Sequence, residues 1–283
     1  MTSKSIEQIY PLGLASVALE FEDYSDIGLF EDNGIGVLEV TPIFPENKAW
    51  TAADPQSSVD LLNLCRKHQV QPESVHSFFF INMGHDMVSP DIEIRKNAIQ
   101  LNATLFPAAE QIGAKYIVIH LYNEKVKRSA DEVYSLARQA VVDLIPYAEK
   151  TGVKIAIENL FAEWSIREIN TLLDDLNHPL LGICFDTGHS VLYNSVGEEL
   201  ALCGDRLLGL HIHDNLGEKD NHFVPYRGKI DWADFAEGLV KTGYRGPLLI
   251  EAFERAPDET REHFIAACAE AHRDILKLIE QAS

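Results

Sequence analysis

Along the chain, short apolar runs alternate with longer segments whose apolar residues recur every three or four positions. Eight runs read as strands: Leu12–Leu19, Gly36–Val40, Ser74–Phe80, Tyr116–His120, Lys154–Glu158, Leu181–Asp186, Leu207–His213 and Pro247–Glu251. They are nearly continuous in apolar residues, as parallel strands covered on both faces must be. Between them, Val59–His68, Asp91–Ile112, Ala130–Thr151, Ser165–Leu176, Trp232–Thr242 and Asp258–Glu280 carry helical spacing. Gly113 and Gly152 each follow a helix where a left-handed C-cap belongs. Ser165 and Glu168 have capping-box spacing, and Asp231 suits an N-cap.

Eight strand–helix units in 283 residues predict an α/β fold, a single (β/α)8 TIM barrel forming one domain over 1–283. An open doubly wound sheet would place a glycine-rich phosphate turn after its first strand. The sequence has no G-x-G-x-x-G and no P-loop.

Composition narrows the partners. Lysine and arginine total 24 against 44 aspartates and glutamates, a net charge of −20. Nucleic-acid affinity rests on Lys and Arg neutralising phosphates, so the charge argues against nucleic acid and against an anionic membrane surface as partners. The start lacks the apolar core of a signal peptide, and no apolar run approaches the ~20 residues that span a bilayer. A cytoplasmic location is the expectation. The four cysteines, Cys65, Cys184, Cys203 and Cys268, lack Cys-x-x-Cys spacing and read as reduced, buried residues.

The chemistry lies at the strand ends. Glu39 ends the second run and His76 lies in the third. His120, Glu158, Asp186 with His189, His211 with His213, and Glu251 close the fourth to the eighth. In a barrel these residues converge on the C-terminal mouth, where such enzymes build their sites. Buried carboxylates are costly unless paired or bound to a cation, so their convergence in an acidic chain predicts a divalent metal. His211 and His213 share a strand face; one could bind metal while the other lies deeper. Asp186 also suits the N-cap of a following helix. Asp220 and His222, in the loop after the seventh run, are equally readable as extra ligands or as loop-ordering residues. In the same loop, Arg227 is a candidate contact to an anion or hydroxyl. His68, His178, His263 and His272 fall in helix or turn contexts and read as surface residues.

As a set, Ile157-Glu158-Asn159, Phe185-Asp186-Thr187-Gly188-His189, Leu210-His211-Ile212-His213-Asp214-Asn215, Pro225 to Trp232 and Ile250-Glu251 resemble the xylose isomerase-like barrel superfamily. The likeness covers essentially the whole chain and is nearest the sugar (phosphate) isomerase/epimerase branch. That branch includes tagatose/psicose 3-epimerases and inosose dehydratases and isomerases. The resemblance implies one divalent ion (Mn, Mg, Co or Zn) on Glu158, Asp186, His211 and Glu251. It implies a carbohydrate substrate contacted by His189, and homo-oligomers are common in that family. The expected reaction is proton abstraction beside a carbonyl through an enediolate, with Glu158 and Glu251 as acid and base. Arg227, His120 and His76 are the further candidate substrate contacts. Phe79, Phe161, Trp50 and Trp164 are candidates for an apolar wall. The family loop often reads Pro-Gly-x-Gly-x-Ile-Asp-Trp, and Tyr226 replaces its first glycine. Two alternatives share the barrel. One is a keto-inositol dehydratase. The other is a type-four apurinic endonuclease with three zinc ions on His76, His120, Glu158, Asp186, His189, His211, Asp220, His222 and Glu251. Against the endonuclease stand the net charge and the loop from Pro42 to Pro55, whose single cation is Lys48.

Overall fold

All eight expected strands form in the computed structural model, which describes residues 4–19, 24–42, 50–79, 84–121 and 129–283. They are β1 (Leu12–Ala15), β2 (Val37–Val40), β3 (Gln71–His76), β4 (Tyr116–Ile119), β5 (Lys154–Glu158), β6 (Leu181–Asp186), β7 (Leu207–His211) and β8 (Leu248–Ile250). The helices are α1 (Ile6–Ile9), α2 (Gly28–Asp32), α3 (Pro55–Lys67), α4 (Ile92–Ala103), α5 (Leu105–Ile112), α6 (Ala130–Thr151), α7 (Ile166–Leu176), α8 (Thr187–Ser190), α9 (Val196–Ala201), α10 (Trp232–Thr242) and α11 (Arg261–Ala282).

The strands pair in parallel and in sequence order, and β1 also pairs with β8. The ring closes just beyond β7. The Ile212 amide donates to the Leu249 carbonyl (2.9 Å), and the Glu251 amide donates to the Ile212 carbonyl (3.0 Å). The chain is therefore a (β/α)8 TIM barrel. Alternation along the strands sorts the side chains. Ile117, Ile119, Ile155, Ile157, Ile183 and Phe185 belong to the apolar layer shared with the helices. Tyr116, Val118, Ala156 and Cys184 form a separate cluster. Each buried side chain of Leu, Ile or Phe size removes enough apolar surface for about 1.5–3 kcal/mol.

Several boundaries differ from the sequence reading, and four of them have a clear local cause. β3 begins at Gln71, because its first turn of chain is polar and apolarity alone missed it; Phe80 lies outside the described residues. β1 stops at Ala15, where Ser16–Ala18 wind into a 3-10 turn. β7 stops at His211, since Ile212 has turned to β8. The segment 91–112 is two helices, because Pro107 has no N–H to give the Ala103 carbonyl and α5 starts afresh at Leu105. The caps form as expected. Gly113 and Gly152 are left-handed, Ser165 and Glu168 close a capping box, and Asp231 accepts from Ala233 and Asp234. His272 is not on the surface: it is buried, and its Nε2 donates to the Tyr10 carbonyl (2.9 Å). All four cysteines are free and buried.

Candidate metal centre

Glu158, Asp186 and His211 end β5, β6 and β7, and Glu251 follows β8 directly. The strand period and the parallel register place them at one level of the mouth, with Glu158 beside Cys184 and Asp186 beside His211. One ligand atom from each of the four lies within 4.8 Å of the others, and all four residues are buried. His211 Nδ1 lies 3.2 Å from Glu158 Oε2 and 3.1 Å from Glu251 Oε2.

The imidazole tautomers say what this geometry needs. A carboxylate only accepts, and Glu39 holds His211 Nε2 at 3.0 and 3.2 Å while itself accepting from the Ser74 hydroxyl at 2.6 Å. With its hydrogen on Nε2, neutral His211 turns the Nδ1 lone pair onto two carboxylates. His76 Nδ1 donates to the Ser77 carbonyl (2.9 Å), so its Nε2 lone pair faces Glu158 at 3.6 Å. His189 Nδ1 donates to the Asn159 carbonyl (3.0 Å) and His222 Nδ1 to the Glu251 carbonyl (2.9 Å). Their Nε2 atoms meet Asp220 Oδ2 at 3.3 and 2.8 Å. Lone pairs facing oxyanions repel unless the rings take up protons or a cation lies between them. Glu158 Oε1, His211 Nδ1, His213 Nδ1 and Asp220 Oδ1 are moreover buried without a hydrogen-bond partner. Buried polar atoms are rarely left so. The donor set fits a divalent cation on Glu158, Asp186, His211 and Glu251, with Glu39 orienting the imidazole from behind.

Without that cation, His76, His189, His211 and His222 are shifted toward the protonated form, whereas burial lowers His120. Burial disfavours the charged ring of His211, yet Cys184 and the carboxylates of Glu251, Glu39 and Glu158 hold its pKa well above the ordinary value. Burial likewise opposes the charge on His222, and its bond to Asp220 with the charge of Glu251 brings it to about 9. Burial alone would raise Glu158, but His120 and His211 carry it well below the carboxylate range. Glu251 is lowered to about 2 against the same burial cost, chiefly by His211.

The remaining expected residues divide. His120 Nε2 sits 3.0 Å from Glu158 Oε2 and is partly open to solvent. Asp186 has two tasks: its Oδ1 accepts from the His189 amide (2.6 Å) as the cap of α8, and its Oδ2 meets His213 Nε2 (2.9 Å). His213 is as buried as His211 and packs against α8. Gly188 permits this, since a Cβ there would lie 1.9 Å from the His213 ring. Arg227 is held in a bidentate pair by Glu259 (2.6 and 2.7 Å). Phe79 stands 4.8 Å from His76 and 4.9 Å from His120, and Phe161 stands 6.0 Å from His189 (ring centroids). Trp50 and Trp164 offer no wall, because both are fully covered in the core. Lys48 lies outside the described residues.

Several site residues were missed. Glu39 was visible as a strand-end acid, but no spacing tied it to His211. Asn159 brackets Asp186, its Oδ1 accepting from the Asp186 amide (2.8 Å) and its Nδ2 donating to the Asp186 carbonyl (3.0 Å). Phe253 stacks on His222 (4.3 Å), and His222 stacks on His213 (3.9 Å). Asp214 winds the 224–232 loop about itself, accepting from the amides of Asn215, Tyr226 and Ile230 and from the Trp232 indole. Gly228 is required there, because a Cβ would meet Asp214 Oδ1 at 2.2 Å. Tyr226 occupies the left-handed region (φ 72°), where a non-glycine residue costs about 1–2 kcal/mol.

The profile of the xylose isomerase-like TIM barrel family matches residues 29–270. Among curated proteins, the uncharacterized protein y4fM of Sinorhizobium fredii is 30% identical over 168 residues, 56% of this chain and 52% of that protein. The D-psicose 3-epimerase of Ruminiclostridium cellulolyticum is 28% identical over 194 residues, 62% of this chain and 64% of the epimerase. The matched regions thus span about half to two thirds of those relatives. Among solved structures, a D-tagatose 3-epimerase-like protein superposes with a TM-score of 0.79 at 18% identity, covering 95% of this chain and 98% of that one. At that identity the likeness speaks for the fold.

Proposed function

The chain belongs to the xylose isomerase-like TIM barrel family, and from that premise we propose that it is a divalent-metal-dependent isomerase or epimerase of a sugar or polyol. One observation carries the reading. Glu158, Asp186, His211 and Glu251 converge at the mouth, and among the described residues the three carboxylates form ion pairs there with imidazoles alone. The similarity to a D-psicose 3-epimerase supports a ketose as substrate.

The cation, when bound, supplies Lewis acidity that polarises a substrate carbonyl and stabilises the oxyanion formed beside it. The chain's own residues move the proton. Glu158 rises from β5 and Glu251 from β8, with β6 and β7 between them. They reach the mouth from different walls and can address opposite faces of one carbon. Glu158 takes the proton from the carbon beside the carbonyl, and Glu251 delivers one to the other face, or the roles reverse. Such acid–base chemistry typically contributes about 10²–10⁴-fold. His120 and His189, held beside Glu158, orient hydroxyls, and Phe79, Phe161 and Phe253 form the apolar sides.

The test is incubation of the metal-loaded protein with free ketoses in deuterated water. Deuterium incorporation at the carbon beside the carbonyl, with appearance of the epimer or isomer, is expected. No exchange with any ketose or aldose, by protein carrying its cation, would overturn the reading.

A second reading has an observation of its own. His189, His213, Asp220 and His222 bring ligand atoms within 4.8 Å of one another, and His76, His120 and Glu158 do the same. Two further cations there would suit a three-zinc phosphoesterase. The acidic chain and the engagement of Arg227 by Glu259 disfavour a phosphodiester. The number of metals per chain decides.

A further inference from the structure

Cys184 lies on β6, two residues before Asp186, on the same face of the strand. It is fully buried, and its register partners are Glu158 on β5 and Gly209 on β7. Gly209 brings no side chain to this level, so the thiol stands between Glu158 and the β7 wall. Its Sγ, one Glu158 oxygen and one His211 nitrogen all lie within 4.8 Å of one another. Sulfur and nitrogen sharing one tetrahedral zinc ion would be about 3.5 Å apart, so a modest approach of these side chains would bring all three atoms onto one cation. The thiol is not the only pointer. His211 Nδ1 and Glu158 Oε1 are buried and have no hydrogen-bond partner.

We propose that Cys184 Sγ is a further ligand of the cation held by Glu158, Asp186, His211 and Glu251, approaching from the closed interior of the barrel. The inference rests on the metal centre of the proposed function and adds its metal preference. The thiol binds as thiolate and its proton leaves to solvent. Thiolate favours zinc and cobalt; magnesium and manganese prefer carboxylate, carbonyl and water oxygens. A centre with Cys184 therefore selects Zn²⁺ or Co²⁺, although its carboxylates alone would suit Mn²⁺ or Mg²⁺.

The test is the absorption spectrum of chelator-stripped protein titrated with Co²⁺. Visible d–d bands report that cobalt is bound, and a near-ultraviolet thiolate-to-cobalt charge-transfer band reports sulfur. Both are expected in the unaltered chain. In Cys184→Ser the d–d bands should persist and the charge-transfer band vanish. A variant with Cys65, Cys203 and Cys268 all replaced by serine should keep both, and it serves if Cys184→Ser fails to fold. In competition against Mg²⁺, Cys184→Ser should lose at least tenfold of its preference for Zn²⁺. Bound cobalt without charge transfer, or a charge-transfer band that survives Cys184→Ser, overturns the role of Cys184 and leaves the metal centre standing. Absence of any d–d band overturns the centre itself.

Discussion

At the base of the barrel, Glu73 is buried and meets the Lys115 ammonium at 2.8 Å. Lys115, Lys154 and Arg245 line a hollow of about 640 Å³ there, with Glu73 and Asp205. At the mouth, Glu158, Asp186 and Glu251 are as buried as Glu73, yet among the described residues their ion pairs are with histidines alone. Among the described residues, every group of clustered ligand atoms lies at the mouth. The difference teaches what the fold leaves for function. A carboxylate whose task is structural is given a lysine, whose ammonium has no lone pair to offer a metal. Carboxylates meant for a metal are given imidazoles, which can yield their lone pairs. The base hollow is therefore not the better candidate site, because its buried acid is already matched.

The comparison breaks most sharply at the two glutamates. Glu158→Gln and Glu251→Gln should each lower turnover at least ~100-fold in the metal-loaded protein, with circular dichroism unchanged. Near-normal turnover in either would remove that residue from the mechanism. Behind them, Glu39→Gln should weaken metal affinity about 10–100-fold by freeing the His211 ring, measured by titration calorimetry. An unchanged affinity would make Glu39 a packing residue only. Tyr226→Gly should raise stability by up to about 1–2 kcal/mol in denaturant unfolding, since glycine accepts the left-handed backbone freely. A loss would mean that the exposed ring contributes more than the strain costs.

The base should respond in stability and not in metal binding. Lys115→Ala strips the buried Glu73 of its ammonium, so it should cost about 1–3 kcal/mol and leave metal content untouched. A change in metal content would mean that the two ends are coupled. The smallest effect is expected at His272, whose pKa is lowered chiefly by burial. Its folded state favours the neutral ring. The associated stability is present above the unfolded value near 6.5 and is lost as pH falls through the lower folded value. Replacement by glutamine, which can still donate to the Tyr10 carbonyl, should flatten that acid limb of stability. An unchanged limb would assign the pH dependence to other groups.

The periodicity of eight apolar runs was enough to read the barrel, because strands covered on both faces leave an unmistakable composition. Glu158, Asp186, His211 and Glu251 were legible for the same reason: an acid or imidazole ending such a run must be at the mouth. Glu39 was not, since its hold on His211 joins strands distant in sequence. Trp50 and Trp164 misled because aromatic size says nothing about which side of a loop is covered. His272 misled because a histidine on a long helix can turn inward when a carbonyl, here that of Tyr10, waits for its N–H. The polar opening of β3 escaped notice because Glu73 is buried with a lysine supplied from the start of β4.

The central claim is that the mouth carboxylates are matched by a cation. The most direct measurement is metal content by elemental analysis, comparing the unaltered chain with Asp186→Asn after identical loading and dialysis. One divalent ion per chain in the former, and a large loss in the latter, is the expected result. A chain that retains no metal, or an Asp186→Asn variant that retains all of it, would contradict the account.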